Sequence, residues 1–121
     1  MKPINVFIVD DFIPDLFELE DILHQLAVNI VGNANSLSSA LQTIQSKIEA
    51  NETIDVVVID MILNEAKTET GLMLVEKLKD KNGNLPFKII SLLFIFFKYL
   101  RRPIIVSIYP FERANSITLF L

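Results

Sequence analysis

The chain has 121 residues, a formal net charge of −4 and no cysteine, which suits one domain with an ordinary core and excludes disulfides and thiolate metal sites. The acidic balance leaves no electrostatic footprint for nucleic acid. The longest unbroken apolar run, residues 92–97, is far shorter than the roughly 20 residues of a membrane span, and the first residues lack the build of a signal peptide, so a cytoplasmic location is expected.

The run Ile4-Asn5-Val6-Phe7-Ile8-Val9 ends in Asp10-Asp11 and has the Val/Ile-rich character of a strand buried on both faces. Pro14 suits the first turn of a helix. Asp15, Glu18, Glu20 and Asp21 favour its early turns through the helix dipole, and Leu16, Leu19, Leu23 and Leu26 recur at helical spacing. Val28, Ile30 and Val31 predict a short second strand, stopped by Gly32-Asn33. Ser36 caps a second helix, with Leu37, Ala40, Leu41, Ile44 and Ile48 as its apolar stripe and Asn51 closing it. Residues 54–59 predict a third strand, ending in Asp60. A polar loop over 61–70 leads to a third helix over 71–81, with Leu74, Val75 and Leu78 facing inward. Asn82-Gly83-Asn84 marks a turn, and residues 87–91 predict a fourth strand. The order βαβαβαβ predicts a parallel sheet with helices on both faces.

The composition changes near Leu85-Pro86. Of the 15 acids only Glu112 lies beyond it, while all three arginines and six of the nine phenylalanines do. A short apolar helix is expected over 92–100, broken by Arg101-Arg102-Pro103. A fifth strand over 104–109 and a last helix over 111–121 follow. So abrupt a change favours a shifted frame or a truncation over gradual divergence.

In open α/β sheets, ligands bind outside the carboxyl ends of the strands. If the first and third strands are neighbours, Asp10, Asp11 and Asp60 converge there. Three like charges at close range repel unless a cation neutralises them, and Mg²⁺, a hard ion with oxygen ligands, is the natural partner.

These residues resemble the receiver domain of response regulators, the phosphoacceptor module of two-component signalling. Val9-Asp10-Asp11 resembles the acidic pair after that family's first strand, and Val57-Val58-Ile59-Asp60-Met61 its phosphoacceptor aspartate. Gly71-Leu72 resembles the start of its third helix. Leu85-Pro86-Phe87-Lys88-Ile89-Ile90-Ser91 resembles its fourth strand, which ends in Thr or Ser. The match covers roughly residues 3–91; the whole chain, 1–121, is expected to be one receiver domain with a divergent segment after 91. The resemblance implies a flavodoxin-like, doubly wound parallel sheet of five strands. It implies Asp60 as the nucleophile that takes phosphoryl from a histidine kinase or phosphotransfer protein. Mg²⁺ would be held by Asp11, Asp60 and the backbone carbonyl of Ile62, with Asp10 acting partly through water. Ser91 would hydrogen-bond the phosphoryl oxygens.

Two departures stand out. Ten residues separate Asp60 from Gly71, so Asn64-Glu65-Ala66-Lys67-Thr68-Glu69 is an insertion beside the site. The family's Lys-Pro pair after the fifth strand is missing, and its nearest counterpart is Tyr109-Pro110, which offers a hydroxyl in place of a cation. The expected function is phosphoryl acceptance on Asp60 in a phosphorelay, with no enzymatic activity beyond self-phosphorylation and self-dephosphorylation. No direct nucleic-acid or membrane partner is expected, and a homodimer is compatible with the sequence. The alternative is a phosphorylation-independent pseudo-receiver that serves as an interaction module. A phosphatase with an aspartate nucleophile is less favoured, because Ile62 stands where such enzymes place a second aspartate.

Overall fold

The computed structural model describes the backbone of residues 2–64, 68–97, 100–109 and 119–120, and the side chains of residues 2–64 and 68–90. The elements follow one another as β1 (Asn5–Val9), α1 (Ile13–Gln25), β2 (Asn29–Ala34), α2 (Leu37–Glu49), β3 (Val56–Asp60), α3 (Gly71–Leu78), β4 (Lys88–Phe97), β5 (Leu100–Tyr109) and β6 (Leu119–Phe120). The sheet order is β2-β1-β3-β4-β5-β6. β1 pairs in parallel with both β2 and β3, and β3 in parallel with β4. These four parallel strands and their helices form a flavodoxin-like α/β fold.

Local chemistry explains where the elements begin and end. Pro14 sits in the first turn of α1, where no N–H is needed. The Ser36 hydroxyl accepts the Ser39 N–H at 3.1 Å and caps α2. Asn51 follows α2 with φ of 58° and donates its N–H to the Ile48 carbonyl at 3.0 Å, a left-handed helix stop that asparagine tolerates. The Thr70 hydroxyl caps α3 by accepting the Met73 N–H at 3.3 Å. That helix ends at Leu78, three residues before the expected stop, and the Asp80 carboxylate instead accepts the N–H groups of Asn82 and Asn84 in the following turn.

The period-two alternation of the strands divides the core between two faces. Phe7, Val9, Val57, Ile59 and Ile89 pack with Ala40 and Ile44 of α2 and Leu74 and Val75 of α3. Val6, Ile8 and Val58 pack with Leu16 and Leu19 of α1 on the opposite face. The apolar stripes expected for the three helices face the core, with Leu23 and Leu41 partly buried; Leu26, just beyond α1, and Ile48, in the last turn of α2, are exposed.

Two expectations are corrected. Gly32 does not stop the second strand, which continues to Ala34 with a bulge where Val6 pairs with Ile30 and Phe7 with Gly32. A Cβ on Gly32 would lie 2.8 Å from the Phe7 ring, so the glycine marks a close approach inside a strand. Over 92–97 the chain is strand rather than helix. β4 pairs with β5 antiparallel, Ile89 opposite Tyr109 and Phe97 opposite Leu100. Runs of Leu, Ile and Phe carry no helical polar face, and Ile and Phe favour the extended form once a neighbouring strand is there to pair with. The last helix, expected over 111–121, lies outside the described residues but for 119–120, which form β6.

Candidate functional site

Strand parity builds the site. Ile8 and Val58 face α1, so Asp10 and Asp60, each two residues further on, leave their strands toward that same face. Val9 pairs with Ile59, which brings the two aspartates to adjacent strand ends. Asp15 comes to meet them from the first turn of α1. One carboxylate oxygen from each of Asp10, Asp15 and Asp60 lies within 4.8 Å of the other two. Asp10 and Asp15 are buried, and Asp60 is half-buried. Asp11 is half-buried at the same strand end and stands outside this closest group.

The cluster is electrostatically loaded. Burial pushes the Asp10 carboxyl up, to about 7. The Phe12 N–H, donating to Asp10 Oδ1 at 3.0 Å, works against that, while the Asp60 and Asp11 charges push further upward. Burial likewise raises Asp60, to about 6; the Ile62 N–H opposes this, and the Asp11 charge adds to it. Asp10 Oδ2 is fully buried and accepts no hydrogen bond. Buried oxygens of this kind call for a donor or a cation. Three carboxylates, one with an unsatisfied oxygen, fit a hard divalent ion such as Mg²⁺.

The loop after β3 is held by backbone pairing. The Gly71 N–H donates to the Met61 carbonyl at 2.9 Å, and the Leu63 N–H to the Glu69 carbonyl at 2.8 Å. Ile62 and Thr70 are therefore a non-hydrogen-bonded antiparallel pair, which leaves the Ile62 carbonyl outside this ladder. The Ile62 N–H points to Asp60 Oδ1 at 3.4 Å. Asn64 ties the loop closed by accepting the Thr68 and Glu69 N–H groups at 2.8 and 3.0 Å. Leu63 is buried in the core, so the stretch expected to be a polar loop is anchored at its start. Gly71 packs on the site's own backbone: a Cβ there would come within 2.8 Å of the Asp60 carbonyl oxygen and 2.7 Å of Ile59 Cγ2. The backbone of Ser91 pairs with Ile59, beside Asp60, and its side chain lies outside the described residues.

Asp15 is the residue that reasoning from the sequence missed as part of the site, assigning it only to the helix dipole. The signal was present: Asp15 falls beside Leu16 and four residues before Leu19, on the helix's apolar stripe rather than its polar face. An open cleft of about 650 Å³, lined by Lys2, Asn5, Asp55 and Lys88, lies at the other end of the sheet, away from the cluster. Among the described residues no helix is long and apolar enough to cross a membrane.

No family model matches the sequence, and no curated protein matches it. Two solved structures of the RcsB response regulator of Salmonella typhimurium do resemble it. One, from work on conformational dynamism for DNA interaction, is 26% identical with a TM-score of 0.56 over 77% of this chain and 44% of that one. The other, RcsB bound to a promoter in the presence of the phosphomimetic BeF3−, is 24% identical with a TM-score of 0.54 over 76% of this chain and 43% of that one. The chain thus matches less than half the length of either. The four parallel strands β2-β1-β3-β4 and their helices are consistent with a response-regulator receiver domain.

Proposed function

We propose that the chain is a phosphoacceptor: Asp60 takes a phosphoryl group from a histidine kinase or phosphotransfer protein in a Mg²⁺-dependent step and relays it as a conformational change. The observation that carries this reading is the meeting of Asp10, Asp15 and Asp60 at the carboxyl ends of parallel strands β1 and β3. A bound Mg²⁺ supplies the charge that lets an anionic phosphoryl group approach these carboxylates. Asp10, Asp11, Asp60 and the Ile62 carbonyl would hold it. An Asp60 oxygen attacks phosphorus in line as the bond to the donor's imidazole nitrogen breaks, leaving an acyl phosphate on Asp60 and a neutral imidazole. Ser91 would donate to the phosphoryl oxygens.

The net charge of −4 supports a domain that does not itself bind nucleic acid; a cytoplasmic setting and no catalysis beyond its own phosphorylation and dephosphorylation belong to the same proposal. The intact mass after incubation with acetyl phosphate tests the reading. A phosphoryl adduct should form with Mg²⁺, fail to form with EDTA, and fail to form in Asp60→Asn. A second reading, a phosphorylation-independent pseudo-receiver, is favoured by one feature: no Lys-Pro pair follows Lys2-Pro3. It predicts no adduct under any of these conditions.

A further inference from the structure

We infer that Asp15 is a direct ligand of the same cation, a fourth carboxylate contributed by α1, and that it opens the site to the larger divalent ion Ca²⁺ as well as to Mg²⁺. This rests on the cation site proposed above and adds a ligand that the resemblance does not supply.

The first observation is position. Asp15 is 1% exposed, in a helix turn where an apolar side chain would be the cheaper occupant. Its carboxylate reaches to within 4.8 Å of both Asp10 and Asp60. Oxygens that share one Ca²⁺ at about 2.3–2.6 Å lie at most about twice that distance apart, so a single ion can touch all three. A second, independent observation is Asp10 Oδ2, wholly buried and without a hydrogen-bond donor in the same cluster. Phe12 supplies the third. Its N–H donates to Asp10 Oδ1 at 3.0 Å, and its carbonyl accepts the Asp15 N–H at 3.0 Å. One residue thus holds the Asp10 side chain and the Asp15 backbone, so Asp10 and Asp15 are held together before any ion arrives.

The charge count then sets the preference. Mg²⁺ is held by one or two carboxylates and keeps several of its waters, whereas Ca²⁺ takes more oxygens and binds more tightly as charged ligands are added. With Asp15, three carboxylates, those of Asp10, Asp15 and Asp60, lie close enough to share one ion, and Asp11 stands half-buried at the same strand end.

Isothermal titration of Ca²⁺ and Mg²⁺ into the full chain, Asp15→Asn and Asp60→Asn tests this. The full chain should bind both ions. Asp15→Asn should weaken Ca²⁺ by about 100-fold or more, the upper end of what loss of an outer-shell partner costs, and Mg²⁺ by less, so that the Ca²⁺/Mg²⁺ preference falls. Unchanged affinities, or equal losses for both ions, would overturn the role of Asp15. If Asp60→Asn still abolishes Mg²⁺ binding, the cation site itself survives that outcome. A full chain that binds neither ion would refute both. Should Asp15→Asn fail to fold, carboxyl ¹³C NMR of the unaltered chain decides. Saturation with Ca²⁺ should move the Asp15 resonance as much as those of Asp10 and Asp60, and an unmoved Asp15 resonance overturns the inference.

Discussion

Replacing Asp10 by asparagine should stabilise the ion-free protein. Asp10 is completely buried, so its charge gains nothing from bulk water. A carboxyl that titrates near 7 in place of the ordinary 3.8 carries a penalty as an anion of about 4 kcal/mol. Asparagine keeps an oxygen for the Phe12 N–H and removes the charge at nearly equal volume. It also removes the repulsion that the Asp60 charge exerts on Asp10. Part of the penalty is already spread between the two groups, so the expected gain is about 2–4 kcal/mol at pH 8 without divalent ions, or roughly 8–16 °C in melting temperature. Urea unfolding in EDTA measures it. Added Mg²⁺ should reverse the order, because an ion that binds only the folded state stabilises the unaltered chain and leaves Asp10→Asn nearly unmoved. An Asp10→Asn variant that is less stable than the unaltered chain in EDTA would refute the claim that this buried carboxylate is an electrostatic burden.

Further outcomes follow from the same geometry. Between pH 4 and 7 the folded chain should hold protons on Asp10 and Asp60 that the unfolded chain has released, so their contribution to stability falls as pH rises; the difference in stability between the unaltered chain and Asp10→Asn, followed by urea titration, should widen over that window, and a constant difference would contradict it. Gly71→Ala should cost about 1–3 kcal/mol, because its Cβ would crowd the Asp60 carbonyl at 2.8 Å and Ile59 at 2.7 Å; it should also weaken Mg²⁺ binding, and wild-type values for both would show that the loop yields freely. Ala27, with φ of 56° just beyond α1, holds a left-handed conformation that costs an alanine roughly 1 kcal/mol relative to glycine, so Ala27→Gly should raise the melting temperature, and a lower one would refute the assignment of strain.

How much of this was legible in the sequence depended on whether local chemistry or distant pairing decided the outcome. Ser36 and Asn51 mark the ends of α2 because a cap and a left-handed stop act within three residues. The buried strands β1 and β3 announced themselves by unbroken Val and Ile runs, and the order of elements by their alternation with amphipathic helices. Gly32 misled, because a glycine that stops a strand and one that makes room for Phe7 look alike until the neighbouring strand is known. The 92–97 segment misled for a similar reason: its apolar residues suit a helix or a strand, and pairing with residues 100–109 settles the matter. At the site, Asp10 and Asp60 were visible as acids at strand ends. Asp15 was not, since its place beside them follows from the face on which α1 packs. Strand parity contained that information: Asp10 and Asp60 continue the positions of Ile8 and Val58, which face α1.

The central claim is that Asp60, among four neighbouring aspartates, is the phosphoacceptor. Phosphorylating the chain in Mg²⁺, reducing the acyl phosphate with borohydride and sequencing the resulting peptides identifies the modified residue directly. The account predicts conversion at residue 60 alone. Conversion at residue 10, 11 or 15, or at none of the four under conditions where a known receiver is modified, would contradict it.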